Sequence, residues 1–135
     1  MKRYLLDSNA LNLFAYRRRG VFEKAIEVRR TGAVVGSGIP VAAEILAGAR
    51  VGSSWEKNFP IIERTVSSIK LWPFDLAAAH EYAAIHAELK AEGIAMQVID
   101  KMIAAIVRTI PTCVVVTSDG DFSRVTGIHV ENWAV

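Results

Sequence analysis

A chain of 135 residues suits one domain and leaves little room for a second. With 52% hydrophobic residues it can bury a core without covalent staples, and its single cysteine, Cys113, excludes an internal disulfide. A formal net charge of +2 is too small to mark a nucleic-acid binder by itself, and no apolar stretch approaches the roughly 18 residues that a bilayer span requires.

Met1-Lys2-Arg3 imitates the charged head of a signal peptide, but Asp7 and Asn9 break the apolar run that follows, so a soluble, cytoplasmic protein is expected. Tyr4-Leu5-Leu6 reads as a short buried strand. Asp7 or Ser8 can cap a helix reaching Arg19, with Leu11, Phe14 and Ala15 at helical spacing. Gly20 is expected to end that helix, and a second fits residues 21–30. Ala33-Val34-Val35 predicts a strand closed by Gly36-Ser37-Gly38, after which Pro40 opens a helix over residues 41–49. A longer helix covers residues 55–68, with Pro60 expected to kink or break it.

Leu71-Trp72-Pro73-Phe74 predicts a short strand, and its proline argues for the sheet edge. Asp75 can cap a helix that runs to Ala91 and stops at Gly93. Residues 97–108 form a strongly apolar helix. Cys113-Val114-Val115-Val116 is the clearest strand, and it makes Cys113 a core residue rather than a reactive thiol. Ile128-His129-Val130 is the last strand. No repeat or linker interrupts the series, so residues 1–135 form one α/β domain with a parallel sheet and helices on both faces. In such sheets ligands bind beyond the carboxyl ends of the strands.

Acids gather at those ends. Asp7 follows the first strand directly, and Asp119 and Asp121 follow the strand ending at Val116. For Asp7 a plain helix cap is the competing explanation. Asp100 shares its helix face with Met96, Ile103, Ala104 and Val107, and Glu44 shares its side with Val41, Ala47 and Gly48. Acids on apolar faces need a partner, either a base such as Lys101 or Arg50 or a cation. Converging carboxylates repel one another, and oxygen donors without a His or Cys cluster select Mg²⁺ or Mn²⁺ over zinc. His80, His86 and His129 lie at no metal-ligand spacing with these acids and read as surface or packing residues. Mg²⁺ held by carboxylates suits phosphodiester hydrolysis.

Basic residues cluster early, including Arg17, Arg18 and Arg19, as a solvated helix face or as phosphate contacts. Trp55, Phe59, Ile62 and Trp72 supply ordinary core or a face for another chain.

Five segments carry a family resemblance. Tyr4-Leu5-Leu6-Asp7-Ser8-Asn9 looks like the opening motif of PIN domains. Val41-Ala42-Ala43-Glu44-Ile45-Leu46-Ala47-Gly48 resembles the second motif, Asp100-Lys101-Met102-Ile103-Ala104-Ala105 the third, and Val116-Thr117-Ser118-Asp119-Gly120-Asp121-Phe122 the fourth. Gly127-Ile128-His129-Val130-Glu131-Asn132-Trp133 is similar to the usual tail. In order and spanning almost the whole chain, they resemble VapC toxins of bacterial toxin–antitoxin pairs.

The resemblance implies a Rossmann-like sheet of order 3-2-1-4-5. It implies an acidic quartet of Asp7, Glu44, Asp100 and Asp119 acting in catalysis, with Asp7, Asp100 and Asp119 holding Mg²⁺ or Mn²⁺. Ser8, Asn9, Thr117 and Ser118 would orient carboxylates and water. Members place the fourth acid where Asp119 or where Asp121 stands; Asp119, nearer the strand, is assigned here, with Asp121 as helper. The implied activity is cleavage of RNA, often structured RNA such as tRNA, by a homodimer silenced by a VapB-type antitoxin. Arg17, Arg18 and Arg19 then become candidate contacts to the RNA backbone. A non-catalytic PIN-like module binding RNA or protein is the alternative. A receiver-type signalling domain is disfavoured because Asp75 lacks the paired acids of that class.

Overall fold

The computed structural model describes residues 1–135. Its elements are β1 (Arg3–Leu6), α1 (Ser8–Ala15), α2 (Val21–Arg29), β2 (Val34–Gly38), α3 (Ile39–Arg50), α4 (Trp55–Ser68), β3 (Lys70–Trp72), α5 (Leu76–Ala91), α6 (Val98–Arg108), β4 (Cys113–Val116) and β5 (His129–Glu131), with a 3-10 turn over Gly120–Arg124. The five strands form one parallel sheet, as their alternation with helices predicts, in the order β3-β2-β1-β4-β5 that the family resemblance implies. Successive strand residues point to opposite faces. Since Tyr4, Leu5 and Leu6 are all buried, and Cys113 through Val116 likewise, helices must cover both faces of the central strands. Cys113 lies in that core, where burial pushes its thiol up to about 12, far from a thiolate at neutral pH.

Asp75 caps α5 by accepting the Ala78 N–H at 3.0 Å, and β3 stands at the sheet edge but ends at Trp72, so Pro73 and Phe74 lie beyond the strand rather than in it. Three further expectations are corrected. The first helix ends at Ala15, because Arg17 (φ 53) and Arg19 (φ 55) are left-handed and the Arg18 N–H turns back to Leu13 O. Gly20 (φ 77) therefore introduces α2 instead of closing α1. Strand β2 runs through Gly36-Ser37-Gly38, which pair with Lys70-Leu71-Trp72, so Gly36 lies inside the strand, Gly38 ends it, and α3 begins at Ile39. Pro60 neither breaks nor divides α4: it sits exposed, while Ile62, Thr65 and Val66 bury the inner face and hold the helix.

The register positions the chemistry. Leu6 pairs with Val116, so Asp7 and Thr117 are the next residues at the same carboxyl edge. Gly38 ends β2 beside them and delivers α3. Ser37, wholly buried, donates from Oγ to Leu6 O at 2.5 Å and locks β2 to β1 at this edge.

Candidate active site

Asp7 is 5% exposed and its two oxygens have separate duties. Oδ1 accepts the Ala10 N–H at 2.8 Å, capping α1, and Oδ2 accepts from Thr117 Oγ1 at 2.5 Å. The carboxylate that caps α1 therefore also stands among the acids at this edge. Burial raises the Asp7 pKa; the two hydrogen bonds oppose that rise, and the charges of Asp119 and Glu44 add to it.

Asp100, half-buried in the first turn of α6, lies above Ile103, Ala104 and Val107, all buried, as its apolar setting predicts. Its carboxyl is pushed up to about 6, first by burial and then by the charges of Asp119, Asp7, Glu44 and Asp121. Both Asp119 and Asp121 thus lie near enough to Asp100 for their charges to act on it. Asp119 is exposed; its Oδ1 accepts the Asp121 N–H at 2.9 Å, while its own N–H donates to Thr117 Oγ1 at 2.9 Å.

Glu44 corrects one expectation. Ala47 and Gly48 are exposed rather than packed, because α3 buries Pro40, Val41, Ala42 and Ile45 and leaves Glu44 on the solvent side. It reaches the site by another route, accepting a hydrogen bond from Ser8 Oγ to Oε1. Asn9, in the first turn of α1, donates from Nδ2 to Ser118 Oγ at 3.3 Å and ties that helix to the segment after β4.

Neither competing ion pair forms. Lys101 points away from Asp100 to His86, and the Arg50 guanidinium lies 3.7 Å from the centre of the Trp55 ring. The only ion pairs of the chain are Lys24–Glu27 and Arg108–Glu88, so five neighbouring carboxylates have no cationic partner within 4.0 Å. No group of three His, Cys, Asp or Glu side chains is already drawn tightly enough to hold a metal ion. The acids are close enough for their charges to raise the pKa of Asp7 and Asp100 yet remain apart, the arrangement expected of like charges across an open edge. In donor chemistry the set fits a hard divalent cation: oxygen ligands only, in surplus, and uncompensated.

Arg17, Arg18 and Arg19 are exposed but do not join this cluster. They follow the far end of α1, a helix of eight residues, or about 12 Å, from Asp7. Arg17 lies 4.2 Å from the Phe22 ring centre, Arg18 lies 5.5 Å from that of Tyr16, and Arg19 Nε donates to Val135 O at 2.8 Å. Ile62 and Trp72 are core, whereas Trp55 and Phe59 stay half-buried. Sequence reasoning missed Ser37, whose position in a glycine-rich stretch disguised a strand interior. It also treated Lys101 only as a possible partner for Asp100, although a lysine within an apolar helix is itself a signal. No helix is long and apolar enough to cross a membrane.

Residues 4–128 match the PIN domain family. A tRNA(fMet)-specific endonuclease VapC of Shigella flexneri is 34% identical over 91 residues, covering 67% of this chain and 69% of that protein. A Ribonuclease VapC2 of Haemophilus influenzae is 29% identical over 133 residues, covering 98% of this chain and 99% of its own length. Among solved structures, DNA-bound VapBC from Salmonella typhimurium matches with a TM-score of 0.86 and 25% identity over 99% of this chain and 100% of that one. With the match spanning four of the five strands and every acid of the cluster, the chain belongs to the PIN-domain family, among its VapC-type members.

Proposed function

We propose that the chain is a metal-dependent endoribonuclease that hydrolyses RNA phosphodiester bonds as the toxin of a toxin–antitoxin pair. The observation that carries this reading is the gathering of Asp7, Glu44, Asp100 and Asp119 at one sheet edge with no basic side chain to balance them. The name of the Shigella relative makes tRNA the first RNA class to try, and the VapBC complex of the Salmonella neighbour supports a VapB-type antitoxin as partner.

Asp7, Asp100 and Asp119 would hold Mg²⁺ or Mn²⁺, with Glu44 completing the set. When bound, such an ion screens the phosphate charge and readies water for in-line attack. The chain's own contribution is positioning. Thr117 and the Ala10 N–H fix both oxygens of Asp7, Ser8 steers Glu44, and the Asp121 N–H holds Asp119. Arg17, Arg18 and Arg19 would meet the RNA backbone away from the cut. The reading includes a cytoplasmic setting and a homodimer.

The test is purified protein with total RNA, in Mn²⁺ or Mg²⁺ and in chelator, with the cut ends mapped. Asp7→Asn and Asp100→Asn should each lower cleavage at least about a hundredfold, since several kcal/mol of transition-state stabilisation depend on the ion. Full cleavage in chelator would overturn the metal scheme. Unchanged function in both variants would leave a binding module.

A further inference from the structure

Where α5 and α6 meet, at the residue that follows Asp100, lies a cleft of about 440 Å³. Lys101, His86, Lys90 and residues 93–96 line it, and no carboxylate does. Lys101 is only 9% exposed, which for a lysine normally requires an acidic partner. It has none. Its Nζ hydrogen-bonds His86 Nδ1 at 3.1 Å and stands 5.3 Å from the centre of the Tyr82 ring. That ring in turn stacks on His86 within 7° of parallel.

An ammonium donates three hydrogen bonds, and a single one is used here. With Nδ1 accepting, the His86 Nε2–H becomes a second donor on an exposed ring. Lys90, exposed at the rim, adds another positive charge. The cleft therefore offers convergent donors, positive charge and room for an anion.

Its position says which anion. Lys101 follows Asp100 directly on α6, so the two side chains leave the helix about 100° apart, one toward the acids and one into the cleft. A polyanion drawn onto an edge of five carboxylates needs a compensating grip close by, and the cleft is placed to supply it. We propose that the Lys101–His86–Lys90 cleft is a subsite for a backbone phosphate of the RNA substrate, flanking the phosphate delivered to the acids. The proposal rests on the RNA-cleaving reading and names a positioning site within it.

The experiment measures binding separately from cleavage. Asp7→Asn protein is titrated with a transcript of initiator tRNA in Mg²⁺ at several salt concentrations. Adding Lys101→Met should weaken binding roughly tenfold, as expected when one charge-assisted hydrogen bond is removed. It should also reduce the slope of log K against log salt by about 0.7–0.9. Ala95→Asp, at an exposed position lining the cleft, should weaken binding in the same direction while keeping Lys101, and so guards against a misfolded Lys101→Met. Lys57→Met, an equal loss of charge on α4, should change binding far less; an equal effect would overturn the subsite. Unchanged affinity and slope in both cleft variants, with the parent still binding RNA, would overturn the subsite alone. A parent that binds no RNA takes down both readings. Intact RNA binding with weakened antitoxin binding would overturn the phosphate assignment in favour of a protein contact.

Discussion

Thr117 donates to Asp7 across the β1–β4 pair, from the first residue beyond one strand to the first residue beyond the other. Both side chains are buried, at 2% and 5% exposure, so neither has water as a substitute partner. Thr117→Val keeps the shape and removes the donor. It should destabilise the protein by about 1–3 kcal/mol, the cost of an under-satisfied buried carboxylate, and raise the Asp7 pKa further. Thr117→Ser should restore most of the loss. Urea midpoints at neutral pH decide this, and a Thr117→Val protein as stable as the parent would remove the structural role assigned to the hydroxyl.

Asp100 titrates at about 6 instead of 3.8, so the folded state holds its proton more tightly than the unfolded chain does. Its contribution to stability is then fully present below the unfolded value and is lost as pH rises through about 6. Asp7 is raised as well, chiefly by burial, and acts in the same direction. Glu88 runs the opposite way: Arg108 holds it below its ordinary 4.5, so its contribution is lost only as the solution becomes more acidic than that. Between about pH 5 and 7.5 the raised carboxyls dominate. Tm in chelator should fall across that range, and Mn²⁺ or Mg²⁺ should reverse the fall increasingly with pH, the cation replacing the proton. A Tm in chelator that rises over the same interval would contradict the clustering of these charges.

Ser8 acts on the site through a residue that barely touches the core. Its hydroxyl donates to Glu44 Oε1, and Glu44 itself is exposed. Ser8→Ala should therefore leave stability within about 0.5 kcal/mol of the parent. Affinity for Mn²⁺ should fall about 10–100-fold, as happens when a group that orients a ligand is removed. Calorimetric titration of the metal separates the two effects. Unchanged metal affinity would assign the Ser8–Glu44 contact to surface structure alone.

Arg17, Arg18 and Arg19 stand beyond the far end of α1 from Asp7, so their charge can govern affinity without governing where the cut falls. Combining Arg17→Gln, Arg18→Gln and Arg19→Gln should weaken RNA binding and lower its salt slope by roughly 2–3, nearly one unit for each phosphate no longer neutralised. Mapped cut ends should stay where they are. An unchanged slope would return these residues to the role of a solvated turn.

Strand ends are legible because the sequence changes abruptly there: Leu6 to Asp7, Val116 to Thr117, and Asp75 before α5 each mark a boundary by chemistry. Asp100 is legible for the same reason, as a charge on a face otherwise filled by Ile103, Ala104 and Val107. Helix periodicity misjudges Glu44, since Ala47 and Gly48 are small enough to sit in solvent at little cost, so an apolar side chain there does not mean a buried side. The end of α1 is hidden because nothing in three consecutive arginines signals left-handed backbone at Arg17 and Arg19. Lys101 stands out as a lysine in an apolar helix, but its contact with His86 is hidden, since that depends on how α5 packs on α6.

Gly36 looks like a turn residue in the sequence and is instead a point of close approach between β2 and β3. A Cβ there would lie 2.2 Å from Lys70 O and 2.9 Å from Lys70 Cβ, on the neighbouring strand. Backbone cannot swing aside, so Gly36→Ala must push β3 outward from β2. That strand is only three residues long and carries Trp72, 8% exposed, into the core. The expected cost is about 1–3 kcal/mol, as for other forced overpacking. Gly38 is the internal control: its Cβ would meet Ile106 Cδ1 at 3.0 Å, the end of a flexible side chain, so Gly38→Ala should cost less. Because α3 leaves the sheet at Ile39, Gly36→Ala should also disturb the approach of Glu44 and weaken metal binding along with stability. Urea midpoints and Mn²⁺ titration of the two variants check both statements, and equal destabilisation by the two substitutions would contradict the close approach of β3 at Gly36.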